Sequence, residues 1–370
     1  MKITKNYKAV QNNFTRKTPL VYLYSSNPAT AIMDNKLPTI KEIANRLNVS
    51  VSTVSRALHN HPSIGLRTKM QVQQLAKELN YEPNQKAIFF KQGKTFTIGV
   101  ILPNLREEYF SIAINGIEDV AIKNKYNVII SQSHDDPERE KQIVDTMRKS
   151  RVDGIIVSIA KNTINFDHFL QLDSFNIPVV FFDRVPAMVD AYSVSSSLKS
   201  STVSMVDMLA KKGHKRIGFI KGPDSIFLSK ERLDGFLEGL QKNGIKHEKE
   251  LIIQSDLTTP GTETAIGKML ALKTPPSAVI TFNDYVALDA IRYARKHGWK
   301  INEDIFFISY ANLPITYYLD NPPFASVEQF PYEQAEKAML MLLKLMTCKN
   351  GSVVTPRQVV LESKLVLHED

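Results

Sequence analysis

A chain of 370 residues with a single cysteine, Cys348, cannot build an internal disulfide framework or a cysteine-ligated metal site. That scarcity fits a reducing compartment, so the cytoplasm is the expected location. The eight histidines are scattered, with none of the spacings that hold a metal, and no Ser/His/Asp grouping stands out. Neither an enzyme nor a bound metal is therefore expected. No run approaches the roughly 18 apolar residues of a membrane span, so no membrane partner is expected. Neither a Gly-x-Gly-x-x-Gly after the first strand nor a Gly-x-x-x-x-Gly-Lys-Ser/Thr occurs, so no nucleotide cofactor is indicated. What is present is ordinary: 43% hydrophobic and 23% charged residues. This excludes a disordered chain, a collagen or a coiled-coil rod, and the length asks for two or three domains.

Acidic residues are scarce in the first quarter only. Residues 1–32 hold five Lys/Arg and no acid, a charge of +5. Residues 33–94 hold ten Lys/Arg against Asp34, Glu42, Glu78 and Glu82, a charge of +6. Residues 95–370 carry −2, which recovers the total of +9. A basic end on a near-neutral body points to nucleic acid at one end and a different task at the other. The opening stretch, 1–37, has no helical period. Its apolar core, Leu20-Val21-Tyr22-Leu23-Tyr24, is shorter than the roughly 7–15 residues of a secretory signal. It reads as a disordered basic arm, or as an over-extended reading frame with Met33 the true start.

Thr39-Ile40-Lys41-Glu42 is a capping box that should start a helix. Ile40, Ile43, Ala44 and Leu47 give that helix one apolar face. Ser50 should cap a second helix, Val51–Leu58, with Val54, Ala57 and Leu58 inward. Ser52, Thr53 and Arg56 then point outward. A third helix runs from Leu66 to about Leu79 on Val72, Leu75 and Ala76, and Asn80 suits the left-handed position after it. Two short helices joined by about three residues form the arrangement whose second helix enters the major groove. Serine and threonine hydroxyls can pair with base edges there, and arginine can grip guanine with two bonds, worth about 1–3 kcal/mol of discrimination. On periodicity alone, a helical hairpin with a polar solvent face fits as well.

The words of this segment resemble the LacI/GalR family of bacterial transcription regulators. Thr39-Ile40-Lys41-Glu42-Ile43-Ala44 and Val49-Ser50-Val51-Ser52-Thr53-Val54-Ser55-Arg56-Ala57-Leu58 look like that family's headpiece. Leu79-Asn80-Tyr81-Glu82-Pro83-Asn84 is similar to the end of its third helix and the start of its hinge. The similarity continues through Thr97-Ile98-Gly99-Val100-Ile101, Val152-Asp153-Gly154-Ile155-Ile156, Gly213-His214-Lys215-Arg216-Ile217, Arg232-Leu233-Asp234-Gly235-Phe236 and Asn283-Asp284. Several ordered motifs over about residues 38–370 make it specific. The resemblance implies a helix-turn-helix DNA-binding headpiece at 38–82 and a hinge at 83–94. A ligand-sensing, dimerising domain follows at 95–370. It implies DNA contacts from Thr39, Ser50, Val51, Ser52, Thr53, Arg56, His59, Asn84, Phe90 and Lys91. Phe90 stands where the family wedges a leucine into the minor groove, an act that kinks the duplex. Phe89-Phe90 can equally be core packing. The partners implied are a near-palindromic operator, a small-molecule effector such as a carbohydrate or a derivative, and a second copy of the chain.

Residues 95–370 read as α/β without any resemblance. Phe96–Leu102, Tyr126–Gln132, Gly154–Ile159, Val179–Asp183, Ile217–Lys221, Ala278–Phe282 and Ile305–Tyr310 are β-rich. Helical stretches such as Tyr109–Lys125 and Glu138–Arg151 lie between them. That repetition predicts parallel, doubly wound sheets with ligands at the strands' carboxyl ends. The resemblance implies the fold of periplasmic sugar-binding proteins: lobe 1 at about 95–194 and 327–347, lobe 2 at about 197–324 and 353–370. Candidates for the effector are Tyr109, Phe110, Ser133, Asp135, Asp183, Arg184, Arg232, Asn283 and Asp284, all near strand ends. Each also has a purely structural reading as a cap, a loop ion pair or a buried aromatic. Two departures stand out. Ala311 follows a strand where the family commonly has an aspartate, and Ser195-Ser196-Ser197 occupies the lobe crossover in place of an acidic pair. Both remove acceptors for hydroxyls. The effector is therefore expected to differ from the family's neutral sugars, or the response to it to be weak. A solute-binding protein of the same fold is the alternative reading. It would carry a clean signal peptide and no helix-turn-helix, the reverse of this chain.

Overall fold

The computed structural model describes residues 38–82, 93–186, 188, 190–348 and 355–368. The expected contacts Asn84, Phe90 and Lys91 lie outside the described residues, as do Met33 and residues 1–37. The chain divides into two units, residues 1–84 and 85–370.

Among its described residues the first unit holds three helices: α1 (Ile40–Arg46), α2 (Val51–Leu58) and α3 (Leu66–Glu78). Thr39 Oγ1 accepts from Glu42 N–H at 3.3 Å, so half of the expected capping box forms. Glu42 turns its carboxylate to Arg46 instead, at 2.7 Å. Ser50 Oγ accepts from Thr53 N–H at 3.1 Å and starts α2. Asn80 takes φ 48°, the left-handed stop read from the sequence. Ile43, Ala44, Val54, Ala57, Val72 and Ala76 are buried together, with Leu47, Leu58, Leu75 and Leu79 around them. Each such large apolar side chain contributes about 1.5–3 kcal/mol on full burial.

The second unit folds into two lobes. Lobe 1 begins β1 (Thr97–Leu102), α4 (Glu108–Lys123), β2 (Asn127–Gln132), α5 (Pro137–Lys149) and β3 (Gly154–Val157). A short helix α6 (Asp167–Leu170), β4 (Val179–Phe182) and β5 (Ser193–Ser197) follow. The chain crosses to lobe 2 for α7 (Lys199–Lys211), β6 (Ile217–Lys221), α8 (Phe227–Lys242), β7 (Ile252–Gln254), α9 (Thr259–Leu270) and β8 (Ala278–Ile280). Then come α10 (Asp284–Lys296), β9 (Phe306–Ala311) and β10 (Ala325–Glu328). It returns to lobe 1 for α11 (Pro331–Thr347) and β11 (Gln358–Glu362), and ends in lobe 2 with β12 (Lys364–Leu367). The sheets run β11-β5-β4-β3-β1-β2 and β12-β10-β9-β8-β6-β7. Among the described residues every strand pairing is parallel except β10 with β12. No helix among the described residues is long and apolar enough to cross a membrane.

Alternation along β1 shows why helices cover both faces. Ile98, Val100 and Leu102 pack with Phe110, Ala113 and Ile117 of α4. Ile101 turns the other way, to Val144 and Met147 of α5. Two expectations about lobe boundaries need correction. Residues 353–370 do not all belong to lobe 2: β11 pairs parallel with Ser193–Ser197 of lobe 1, and β12 alone joins lobe 2. Nor does lobe 1 resume at 327, because β10 is laddered to β9 and the crossing follows Glu328. The cause in both cases is the open edge or neighbouring ladder that each strand completes, which nothing in its own residues reports.

Candidate functional site

Two surfaces carry the candidate residues. On the first unit, α2 presents Val51 at 41% exposure, with Ser52 and Arg56 also exposed, while Val54 and Ala57 are fully buried. Thr53 is half-buried and its hydroxyl lies 2.8 Å from Ser50 Oγ. The Arg56 carbonyl accepts from His61 N–H at 2.9 Å, but its guanidinium makes no ion pair or hydrogen bond among the described residues, so its fork is available to a partner. Val51 at a helix start can meet a thymine methyl, and Arg56 a guanine edge. His59 donates from Nδ1 to Ser55 O at 2.7 Å, which leaves Nε2 for an outside group. Thr39 is committed to the cap of α1.

The second surface lies between the lobes, at the carboxyl ends of both sheets. From lobe 1, Asp183 and Arg184 follow β4. Arg184 pairs with Asp135 at 2.6 Å and reaches Glu107 at 3.7 Å, its guanidinium 5.8 Å from the Phe110 ring. Asp135 also accepts from Lys161 N–H at 2.9 Å. Burial works against the charge of Arg184, but Asp135, Glu107 and Asp183 outweigh it and hold its pKa above the ordinary value. Asp183 accepts from Ser158 Oγ at 3.2 Å; burial raises its carboxyl, with Arg184 and Arg232 pulling it back. His134, Asp135 and Asp183 take φ of 55°, 59° and 58°, left-handed values that cluster at these loop tips.

From lobe 2, Arg232 of α8 lies 4.2 Å from the ring of Phe282 and 4.3 Å from that of Tyr310. Burial lowers its pKa, opposed by Tyr310, Asp183 and Tyr109. The same burial pushes the Tyr310 hydroxyl up to about 12, and it bonds Thr202 Oγ1 at 2.6 Å. Tyr109 is likewise raised by burial, and Gln334 Nε2 lies 2.9 Å from its oxygen.

The structure thus brings together Tyr109, Phe110, Asp135, Asp183 and Arg184 across from Arg232. It spends three other candidates internally. Ser133 bonds the carbonyl of Leu102, and Asn283 caps α10 by accepting from Val286 N–H at 2.9 Å. Asp284 is fully buried; it accepts from Ser309 and Ser326 hydroxyls and from Leu313 N–H at 2.7 Å. Sequence reasoning missed Glu107, Ser158, Ser229, Phe282 and Tyr310. All sit at strand ends or first helical turns, so the same strand-end rule could have found them.

The lobes touch across this cleft. Lys161 Nζ donates to Asp256 O at 3.1 Å, Ser225 Oγ to Lys161 O, and Ile315 N–H to Glu108 Oε2 at 3.3 Å. A cavity of about 10 Å³ remains beside Arg184 and Ser225, roughly the space of one water. The serines at the crossover act as ties. Ser196 Oγ donates to Gln329 O at 2.8 Å, and Gln334 Nε2 lies within 2.9 Å of Gln329 O, Ser196 Oγ and Tyr109 Oη. Ser363 Oγ donates to Ser197 O at 2.5 Å and lies 2.6 Å from Ser201 Oγ. The Ser196 hydroxyl therefore ties the first crossing to the second, and the Ser363 hydroxyl ties the third to the Ser197 carbonyl of the first.

Known proteins match both parts of the chain. A family model of periplasmic binding proteins and the sugar binding domain of the LacI family matches residues 95–359. One of bacterial regulatory proteins, lacI family, matches residues 39–84. The chain is 31% identical over 308 residues to the HTH-type transcriptional repressor CytR of Escherichia coli strain K12, covering 83% of this chain and 89% of that one. The solved lac repressor dimer bound to operator and the anti-inducer ONPF superposes with a TM-score of 0.77 at 24% identity, covering 90% and 98% of the two chains. The transcriptional regulator CelR in complex with cellobiose superposes with a TM-score of 0.67 at 21% identity, covering 89% and 98%.

Proposed function

The chain belongs to the LacI family of bacterial regulatory proteins, and on that footing we propose that it is a homodimeric, cytoplasmic repressor rather than an enzyme. It reads a near-palindromic operator, and a small molecule between its lobes controls it. The observation that carries the reading is α2: a capped helix whose buried face is apolar and whose exposed face offers Val51, Ser52 and an unpaired Arg56. Two copies place two such helices in successive major grooves, so half-sites one helical turn apart are the natural target. Asp135, Asp183, Arg184 and Arg232, framed by Tyr109 and Phe110, form the effector site. The cellobiose in CelR supports a carbohydrate or a derivative as the chemical class.

The test is Arg56→Ala against a panel of operators varied one base pair at a time. The variant should keep its fold and lose about 1–3 kcal/mol of discrimination at one base pair of each half-site. Wild-type base preference in the variant would remove Arg56 from the reading surface.

A further inference from the structure

The cleft treats its two arginines differently. From that difference we infer that the effector carries an anionic group, a phosphate or a carboxylate on a polyhydroxylated frame, seated on Arg232 and Ser229. The inference rests on the effector-binding reading of the cleft. Arg184 has its acceptors: Asp135 at 2.6 Å and Glu107 at 3.7 Å. Arg232 has none. It is 3% exposed, and its Nε and Nη1 have no hydrogen-bond partner among the described residues. One turn earlier on α8, Ser229 is 2% exposed and its Oγ also lacks a partner there. Residues three apart share a helix face, so the two stand side by side.

Buried polar groups almost always find partners, and a buried cation without an acceptor is costly. Phe282 and Tyr310 stack near the guanidinium at 4.2 and 4.3 Å. Its N–H groups project in its plane, where the oxygens of a phosphate or carboxylate meet them in pairs. Both residues lie in the first half of a 16-residue helix whose N-terminus has no side-chain cap, the end that favours negative charge. The other charges facing Arg232 come from lobe 1. Asp183 acts on it across the cleft but gives it no hydrogen bond, and burial holds that carboxyl above the usual range. Asp135 and Glu107 are engaged by Arg184, and Lys161 adds a further cation on the carbonyl of Asp256. Tyr109 and Tyr310 are kept neutral by burial. Ala311, 7% exposed at the end of β9, contributes no carboxylate that would repel an anion.

The full-length protein is melted with inorganic phosphate, acetate or neutral glucose added at ionic strength held constant with chloride. Phosphate or acetate should raise the Tm by about 3 °C at ten times its Kd. Whichever acts names the anion. Arg232→Gln should abolish the rise and Ser229→Ala should reduce it, each judged against its own anion-free Tm. No rise with either anion, or an undiminished rise in both variants, overturns the inference. In that case a rise with glucose leaves the cleft standing as an effector site for a neutral ligand. Operator binding by the same preparations tests the regulator reading separately.

Discussion

Arg184 and Arg232 are the same side chain at nearly the same depth, 7% and 3% exposed. Their surroundings push them in opposite directions, one raised by three carboxylates and the other lowered by burial that Tyr310, Asp183 and Tyr109 offset only in part. Asp284 shows the same principle as a structural residue. Burial raises its carboxyl from 3.8 to about 6, although Leu313 N–H, Ser309 and Ser326 all donate to it. The folded value lies above the free one, so protonation favours the folded state. The contribution is fully present below pH 3.8 and is lost as pH rises through about 6. It corresponds to about 3 kcal/mol. Urea unfolding of wild type and Asp284→Asn on both sides of that window should show the wild type losing about that much relative to the variant as pH rises. A difference independent of pH would contradict it. The sequence placed Asp284 at a strand end. That its oxygens turn inward was decided by Ser309 and Ser326, residues 25 and 42 positions away.

At the scale of elements, the legible pieces were those with their own periodicity. The three headpiece helices and β6 fall where their apolar spacing puts them, because local burial pattern and caps suffice. Ser193–Ser197 was illegible: a serine-rich run has no β signal. It becomes a strand because Phe181-Phe182 and Gln358–Glu362 offer it ladders on both sides. Helix pairing was equally silent in the sequence. Gly116 of α4 lies against the Tyr332 carbonyl of α11, and a Cβ there would collide with backbone. Tyr332 Oη also donates to Asp119 at 2.7 Å across the same contact. Gly116→Ala should therefore destabilise the protein by about 1–3 kcal/mol through overpacking, despite alanine's better helix propensity. A denaturant midpoint at or above wild type would show that the two helices can separate freely.

For the whole molecule, charge is the informative quantity. The +6 stretch, residues 33–94, includes the three-helix headpiece, while residues 95–370 carry −2. DNA affinity should therefore fall steeply with salt, each phosphate neutralised adding about −0.9 to the slope of log K against log salt. Anisotropy titrations of the full chain over a salt series check this, and a flat response would exclude phosphate contacts as the source of affinity. The sequence by itself determined the α-helical headpiece, its outward-facing Ser52 and Arg56 (Thr53, also read as outward, is half-buried), and the parallel α/β body, because caps, apolar period and charge are local quantities. Only the tertiary structure decided which strand-end residues meet, how serines tie the three lobe crossings, and which arginine is left without an acceptor. Those outcomes depend on partners distant in the chain: Arg184 finds Asp135 49 residues away. Arg232 finds aromatic rings, and no carboxylate at hydrogen-bonding distance among the described residues.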